Sequence, residues 1–180
     1  MILLKKIIIG GRTMFSAVVY SSRTGSCKRY AERISEKLSI PSYELGKEKE
    51  SIDGKIVYIG WLFGGKIVGY EKAAEKYNIG AVVQVGMGAV TDGSEADGRA
   101  KNDIDADVPL FCQQGGFNIK KLPPHLRLIM KPMNKDIARK LKAKGELNEQ
   151  EQATLKMAET GEGEPASWCV CDIVEWCKAH

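Results

Sequence analysis

Four short apolar runs, separated by helical patterns, restrict this chain more than any other feature. They are residues 15–20 (FSAVVY), 55–61 (KIVYIGW), 80–86 (GAVVQVG) and 108–112 (VPLFC). A strand apolar on both faces is buried on both faces, which is characteristic of parallel sheets covered by helices. After the first run, Cys27, Tyr30, Ala31, Ile34 and Leu38 share one face of an amphipathic helix, and Pro41 stops it. Residues 42–45 (SYEL) add a short strand, and the polar residues 46–54 read as a surface loop or a poorly formed helix. Residues 69–77 are helical in pattern, with Ala73, Ala74 and Tyr77 on one side. Residues 94–104 are more weakly so, interrupted by Gly98. Strands alternating with helices predict an α/β domain built on a parallel sheet.

The chain has 180 residues, enough for one domain that buries roughly 70% of its unfolded surface. Its 43% hydrophobic content supplies that core without a metal or disulfide framework. No apolar run approaches the ~20 residues needed to span a bilayer. Five cysteines at irregular spacing argue for free thiols in a reducing, cytoplasmic setting. Two histidines, His125 and His180, leave little for a His-rich metal site or a Ser-His-Asp triad.

Residues 1–13 form an N-terminal extension. Its apolar runs are split by Lys5 and Lys6, and no small-residue cleavage site follows, so it does not read as a signal peptide. Two readings are open. Ile7, Ile8 and Ile9 are an edge strand, or the segment lies upstream of a natural start at Met14, with Gly10-Gly11-Arg12 the in-frame translation of a ribosome-binding sequence.

The strongest chemical signal is residues 20–27 (YSSRTGSC), which leave a buried strand and enter a helix. Such a turn aims free backbone N–H groups and the positive end of the helix dipole at one point, where a phosphate accepts several of those bonds. Ser and Thr hydroxyls add donors, and Gly25 permits close approach. The competing reading is an ordinary capped turn, since the same residue types serve there. The Walker pattern G-x-x-x-x-G-K-[ST] is absent, and Gly86-Met-Gly88-Ala-Val-Thr91 has Thr in the third place of the dinucleotide fingerprint.

Ser22-x-Thr24-Gly25-x-Cys27 resembles the FMN-phosphate loop of flavodoxins, usually [ST]-x-T-G-x-[TN], with Cys27 where a hydroxyl or amide is usual. The resemblance covers about residues 14–118. It implies a flavodoxin-like three-layer sandwich, with a five-stranded parallel sheet in the order 2-1-3-4-5 and FMN at the switch point. A closer likeness is to flavodoxin-like protoporphyrinogen oxidases. These have a Ser-Arg-rich loop, as in Ser22-Arg23-Thr24. They also carry a basic Leu/Met-rich helical insertion before the last helix, as in residues 126–131 (LRLIMK), and residues 172–177 (DIVEWC) look like that final helix.

The same resemblance assigns the cofactor contacts. Ser22, Arg23, Thr24, Gly25, Ser26 and Cys27 are expected at the phosphate. Trp61, Leu62, Phe63, Gly64 and Gly65 from one loop and Met87 and Gly88 from the next are expected at the flavin ring. Trp61 or Phe63 would stack on the ring, with core packing the alternative for Trp61. The Met87 loop lacks the aromatic that many flavodoxins place there, leaving one ring face open or covered by Met87 or a partner. Few acids lie near Gly64 and Lys66 is close, so the reduced flavin is expected to form more easily than in an acidic flavodoxin.

Residues 119–144 carry nine Lys/Arg and one acid, +8 in all. The whole chain carries +4, so the remainder sums to −4. Leu126, Ile129, Met130, Met133, Ile137 and Leu141 form a stripe on this segment, and Pro132 should split or kink the helix. The insertion is expected to run over 119–160 and the last helix over 165–179. Three readings compete for the basic segment: packing on the sheet, lying on an anionic membrane, or docking an acidic redox partner. Nucleic acid is disfavoured, because no aromatics interleave the positive run and no binding motif is present.

Cys169-x-Cys171 and Cys177 lack metal-ligand spacing and a completing His or Cys, so no metal site is expected. At Cys27 the helix start lowers the thiol pKa and a bound dianion would raise it. No acidic pair has an acid–base setting, so no catalytic side chain is assigned. Two functions from different classes are open: an FMN electron carrier between a reductase and an acceptor enzyme, and an FMN-dependent protoporphyrinogen oxidase at the membrane surface. A third is a flavin-free fold acting through protein binding.

Overall fold

The computed structural model describes residues 15–48 and 51–180. The two readings of the N-terminal extension fall outside them. The chain runs β1 (Phe15–Ser21), α1 (Ser26–Leu38), β2 (Ser42–Glu44), β3 (Lys55–Phe63), β4 (Lys66–Ile67), α2 (Tyr70–Lys76), β5 (Asn78–Gly86), α3 (Ser94–Asn102), β6 (Leu110–Gln114) and β7 (Phe117–Asn118). A 3-10 turn (Ile119–Lys121) follows, then α4 (Pro124–Lys144), α5 (Glu149–Thr160), β8 (Glu162–Gly163) and α6 (Cys171–Ala179). The main sheet has the order β2-β1-β3-β5-β6, with every one of these pairings parallel. Counting these five strands alone gives 2-1-3-4-5, the expected flavodoxin-like topology. β4 is a two-residue hairpin return on the end of β3.

The alternation of side chains along each strand feeds two separate cores. Val18, Val57, Ile59, Ala81 and Val83 face α1 and α6. Ala17, Val19, Ile56, Tyr58 and Val82 face α2 and α3. All are buried, which is why the strands read as unbroken apolar runs. α1 contributes Cys27, Tyr30, Ala31 and Ile34 to the first core. It ends at Ser39, which turns left-handed (φ 55°) and bonds the Glu36 carbonyl, two residues before Pro41 could act.

Gly98 does not interrupt α3. The helix passes through it, and the site requires glycine because a Cβ there would stand 2.3 Å from Gln84 Oε1. α6 starts later than expected, at Cys171, with Pro165 and Val170 anchoring an irregular approach.

Three features of the basic extension bear on those expectations. Pro132, exposed, does not split α4, which is one helix through it. It packs chiefly against α5, not on the sheet. Its stripe is narrower than the sequence suggests: Leu126, Met130, Ile137 and Leu141 are half-buried, whereas Ile129 and Met133 are 46% and 48% exposed and Leu128 is 74% exposed. A single neighbouring helix covers only one line of residues, so a stripe wide enough for a sheet is left partly bare. A small third core of Phe117, Leu122 and Met157, with Met87, Leu126 and Met130 against it, joins this extension to the domain. Buried Gln114 adds polar ties: its Nε2 donates to the Gln150 carbonyl (2.8 Å) and Thr154 Oγ1 (3.0 Å), and its Oε1 accepts from Ala166 N–H (3.0 Å).

Candidate functional site

The turn from β1 into α1 is built by Gly25, whose φ of +107° lies in the left-handed region that favours glycine. α1 has no side-chain cap and no acid in its first turn. Its leading N–H groups therefore have neither a helical acceptor nor a capping oxygen. Ser22 Oγ, just before the turn, is shielded from solvent and has no hydrogen-bond partner among the described residues. A bound phosphate is an acceptor for such donors. The Ser26 hydroxyl is committed elsewhere: it donates to the Gly116 carbonyl at 2.9 Å, and Thr24 Oγ1 leans toward the same oxygen at 3.5 Å.

Beside this turn a cleft opens at the carboxyl ends of the strands, with a cavity volume of about 100 Å³, open to solvent on one side. Ser22, Arg23, Thr24, Ser26 and Cys27 line one end. Trp61, Leu62, Phe63 and Met87 line the other. Trp61 both packs against the core and reaches the cleft, with its ring 5.7 Å from that of Phe63. Gly25 lies on the outer side of the loop, in a depression shared with Arg29, Lys121 and Trp168. Gly65 and Gly88 line a third depression, with Gln84 and Lys101, on the α3 side of the sheet. Gly64, at φ +60°, lines none of the three.

Several contributors were not legible in the sequence. Gly115 and Gly116 follow β6 and form part of the cleft wall. Phe117 from β7 and Leu122, Leu126 and Met130 from the basic extension bring apolar side chains. The double glycine after a buried strand was the one available signal. Lys121 looked like one more charge in the basic run, yet its ammonium donates to the Thr24 carbonyl at 3.3 Å. α5 holds the Met87 loop: Val90 N–H donates to Gln150 Oε1 (2.7 Å), and Thr154 Oγ1, which donates to the Gln150 carbonyl (2.8 Å), lies 3.2 Å from the Met87 carbonyl. Lys66 turns outward to Glu71 at 3.6 Å, while the side chain of Lys101 lies against Gly65.

Burial decides the state of the inner titratable groups. The Cys27 thiol is pushed far up by desolvation, which overrides the helix start. It is a neutral core side chain that also borders the cleft. Tyr58 is raised to about 12 by burial, and its hydroxyl donates to the Val68 carbonyl at 2.7 Å. Neither group is poised for acid–base work near neutral pH.

Together, the sheet order and the cleft at its switch point define an α/β protein of flavodoxin-like topology. No family model, curated relative or solved structure matches the chain.

Proposed function

We propose that this protein binds FMN non-covalently in the cleft and carries electrons between a reductase and an acceptor enzyme. The observation that carries the reading is the start of α1, uncapped among the described residues, with the Ser22 hydroxyl beside it likewise without a partner among them, opening into an aromatic and apolar cleft. Backbone N–H groups of the turn and Ser22 Oγ would hold the phosphate, with Arg23 and Lys121 supplying positive charge. Trp61 and Phe63 would flank the ring on one side. Met87, Leu126 and Met130, which also line the cleft, would supply the apolar cover that the aromatic-free loop does not provide. FMN, when bound, supplies the redox chemistry, and the protein's part is to hold it and tune it.

A second reading is favoured by one specific observation. Leu128, Ile129 and Met133 stand exposed on a strongly basic helix, as in an amphipathic segment resting on an anionic bilayer. In that reading the protein oxidises an apolar tetrapyrrole of the protoporphyrinogen type at the flavin, at the membrane surface. Among the described residues, no helix is long and apolar enough to cross a membrane.

The test is a titration of the purified protein with FMN, followed by visible absorption and then by dithionite. Perturbed, saturable flavin bands that bleach on reduction support the proposal. A free-flavin spectrum at every ratio leaves the flavin-free protein-binding function. Rapid flavin reduction by protoporphyrinogen favours the enzyme; reduction by a reductase protein alone favours the carrier.

A further inference from the structure

Away from the cleft, one pair of nucleophilic side chains stands at the surface in mutual contact. Cys169 and Cys171 are both exposed, and both carry free thiols. Their sulfurs are 2.7 Å apart, in hydrogen-bond contact. The backbone N–H of Cys171, the first residue of α6, also points at the Cys169 sulfur from 3.4 Å. α6 has no side-chain oxygen at its cap, so this sulfur stands where a capping acceptor would.

The backbone around the pair is pinned. Val170, between the two cysteines, is buried in the core beneath α6. Cys169 N–H donates to Ser167 Oγ at 3.1 Å. With the middle residue turned inward, the two thiols are left on the outside, side by side.

This arrangement divides the two sulfurs by role. Only the Cys169 sulfur also faces a helix N–H; as a thiolate it would accept from the Cys171 thiol and from that N–H, which lower its pKa, while desolvation and Asp172 oppose and Lys37 helps. Cys171, as the donor, is raised. In thiol–disulfide exchange the thiolate is the nucleophile, and accessibility decides which thiolate reacts. The other three cysteines are placed differently. Cys27 and Cys177 are buried, the latter pushed up to about 12 by desolvation, and half-buried Cys112 is raised by burial while it accepts a bond from Gln84.

We propose that Cys169 and Cys171 form a reversible dithiol–disulfide couple that exchanges with low-molecular-weight disulfides of the glutathione class. The Cys169 thiolate attacks one sulfur of the external disulfide. That S–S bond breaks, and the departing thiolate takes up a proton. Cys171 then loses its proton and attacks the Cys169 sulfur, expelling the second external thiolate. The two protein thiols lose two electrons in all, and one external disulfide becomes two thiols. The closing step is short, because the sulfurs already stand within an ångström of a disulfide bond length of about 2.05 Å. This couple is independent of flavin binding.

The experiment equilibrates the full chain in glutathione buffers spanning reduced to oxidised ratios. Free thiols are then alkylated, and intact and peptide masses are read. The expected result is reversible loss of two hydrogens, mapped to the peptide that holds both Cys169 and Cys171. In Cys171→Ser, glutathione should remain trapped on Cys169 as a mixed disulfide. In Cys169→Ser, the reaction at Cys171 should slow by about tenfold. The proposal is overturned if the unsubstituted protein keeps both thiols alkylatable at every ratio. Glutathione that persists unresolved on Cys169, or settles on Cys112, overturns it equally. The titration of the unsubstituted protein decides without relying on either variant.

Discussion

The hydroxyl of Ser26 donates to the carbonyl of Gly116 at 2.9 Å, joining residues 90 apart in sequence. This bond ties the first turn of α1 to the loop after β6, both of which line the cleft at the end proposed for phosphate. One hydroxyl has one proton, so Ser26 can offer a bound phosphate only its backbone N–H while this bond stands. Ser22, whose hydroxyl has no partner among the described residues, is placed to be the side-chain donor. Ser26→Ala should therefore cost about 1 kcal/mol of stability in urea denaturation while weakening FMN by less than about tenfold. Ser22→Ala should do the reverse. Unfolding should be unchanged or slightly harder, and FMN should bind roughly tenfold more weakly, as for loss of a bond to a charged acceptor.

Gly25→Ala tests the turn itself. A Cβ there would meet nothing within 4 Å, so its cost is purely the backbone conformation at φ +107°. The expected loss is about 1–2 kcal/mol of stability, with weaker FMN binding as the turn relaxes. Gly25→Asn should lose less, because Asn tolerates left-handed backbone better. Chemical denaturation of the three proteins, paired with flavin titration, gives the order.

At Gly98 two effects oppose each other. Helix propensity favours Ala over Gly by about 1 kcal/mol. Packing opposes it, because the new Cβ would lie 2.3 Å from Gln84 Oε1 and 2.9 Å from Leu110 Cδ2. Gln84 cannot swing aside cheaply, since its Nε2 donates to the Ser94 carbonyl and to Cys112 Sγ. Packing should win, and Gly98→Ala should lower stability by about 1–3 kcal/mol. A midpoint at or above that of the unsubstituted protein would show that α3 can lift from the sheet.

The two sides of α4 should behave differently. Leu126 and Met130 line the cleft, whereas Leu128 and Ile129 face outward. Leu126→Ser with Met130→Ser should weaken FMN binding by about tenfold or more through lost apolar cover. Leu128→Ser with Ile129→Ser should leave FMN affinity and stability nearly unchanged, while reducing retention on vesicles containing anionic lipid in the membrane-surface reading. Flavin fluorescence titration and vesicle co-sedimentation read the two effects separately.

Glu48 couples the β2–β3 connection to α2 and makes stability depend on acid. Burial alone would raise its pKa, but Lys76 and the Gly46 N–H outweigh that and hold it at about 2. The Lys76 ammonium is 2.8 Å away. The folded value lies below the unfolded one, so the contribution is complete above about pH 5 and is lost as pH falls toward 2. Lys76 is half-exposed, which screens the pair, and Glu48→Gln should cost roughly 1–2 kcal/mol near neutrality. Denaturation midpoints at neutral and low pH should converge for the two proteins. A constant gap would exclude this titration as the cause.

The features legible from residue order are local and periodic. The apolar runs marked strands buried on both faces, and residues 20–27 marked the strand-to-helix turn, because hydrophobic period, turn chemistry and helix-start chemistry are written in neighbouring residues. The parallel sheet and its order follow from the alternation of elements and the family likeness. The β7–β8 pair was invisible, since two-residue strands carry no periodicity.

Tertiary structure alone decided which side of α4 is bare, because the width of an apolar stripe does not state how wide a groove will receive it. It also decided that Gly98 is a point of close approach to Gln84 and not a break. Lys121 at Thr24, Gln114 at α5 and Thr154 at Met87 join residues 97, 40 and 67 apart. Such partners depend on how the extension folds back over the sheet ends. That path is set by packing summed over many residues, and no short stretch of sequence encodes it.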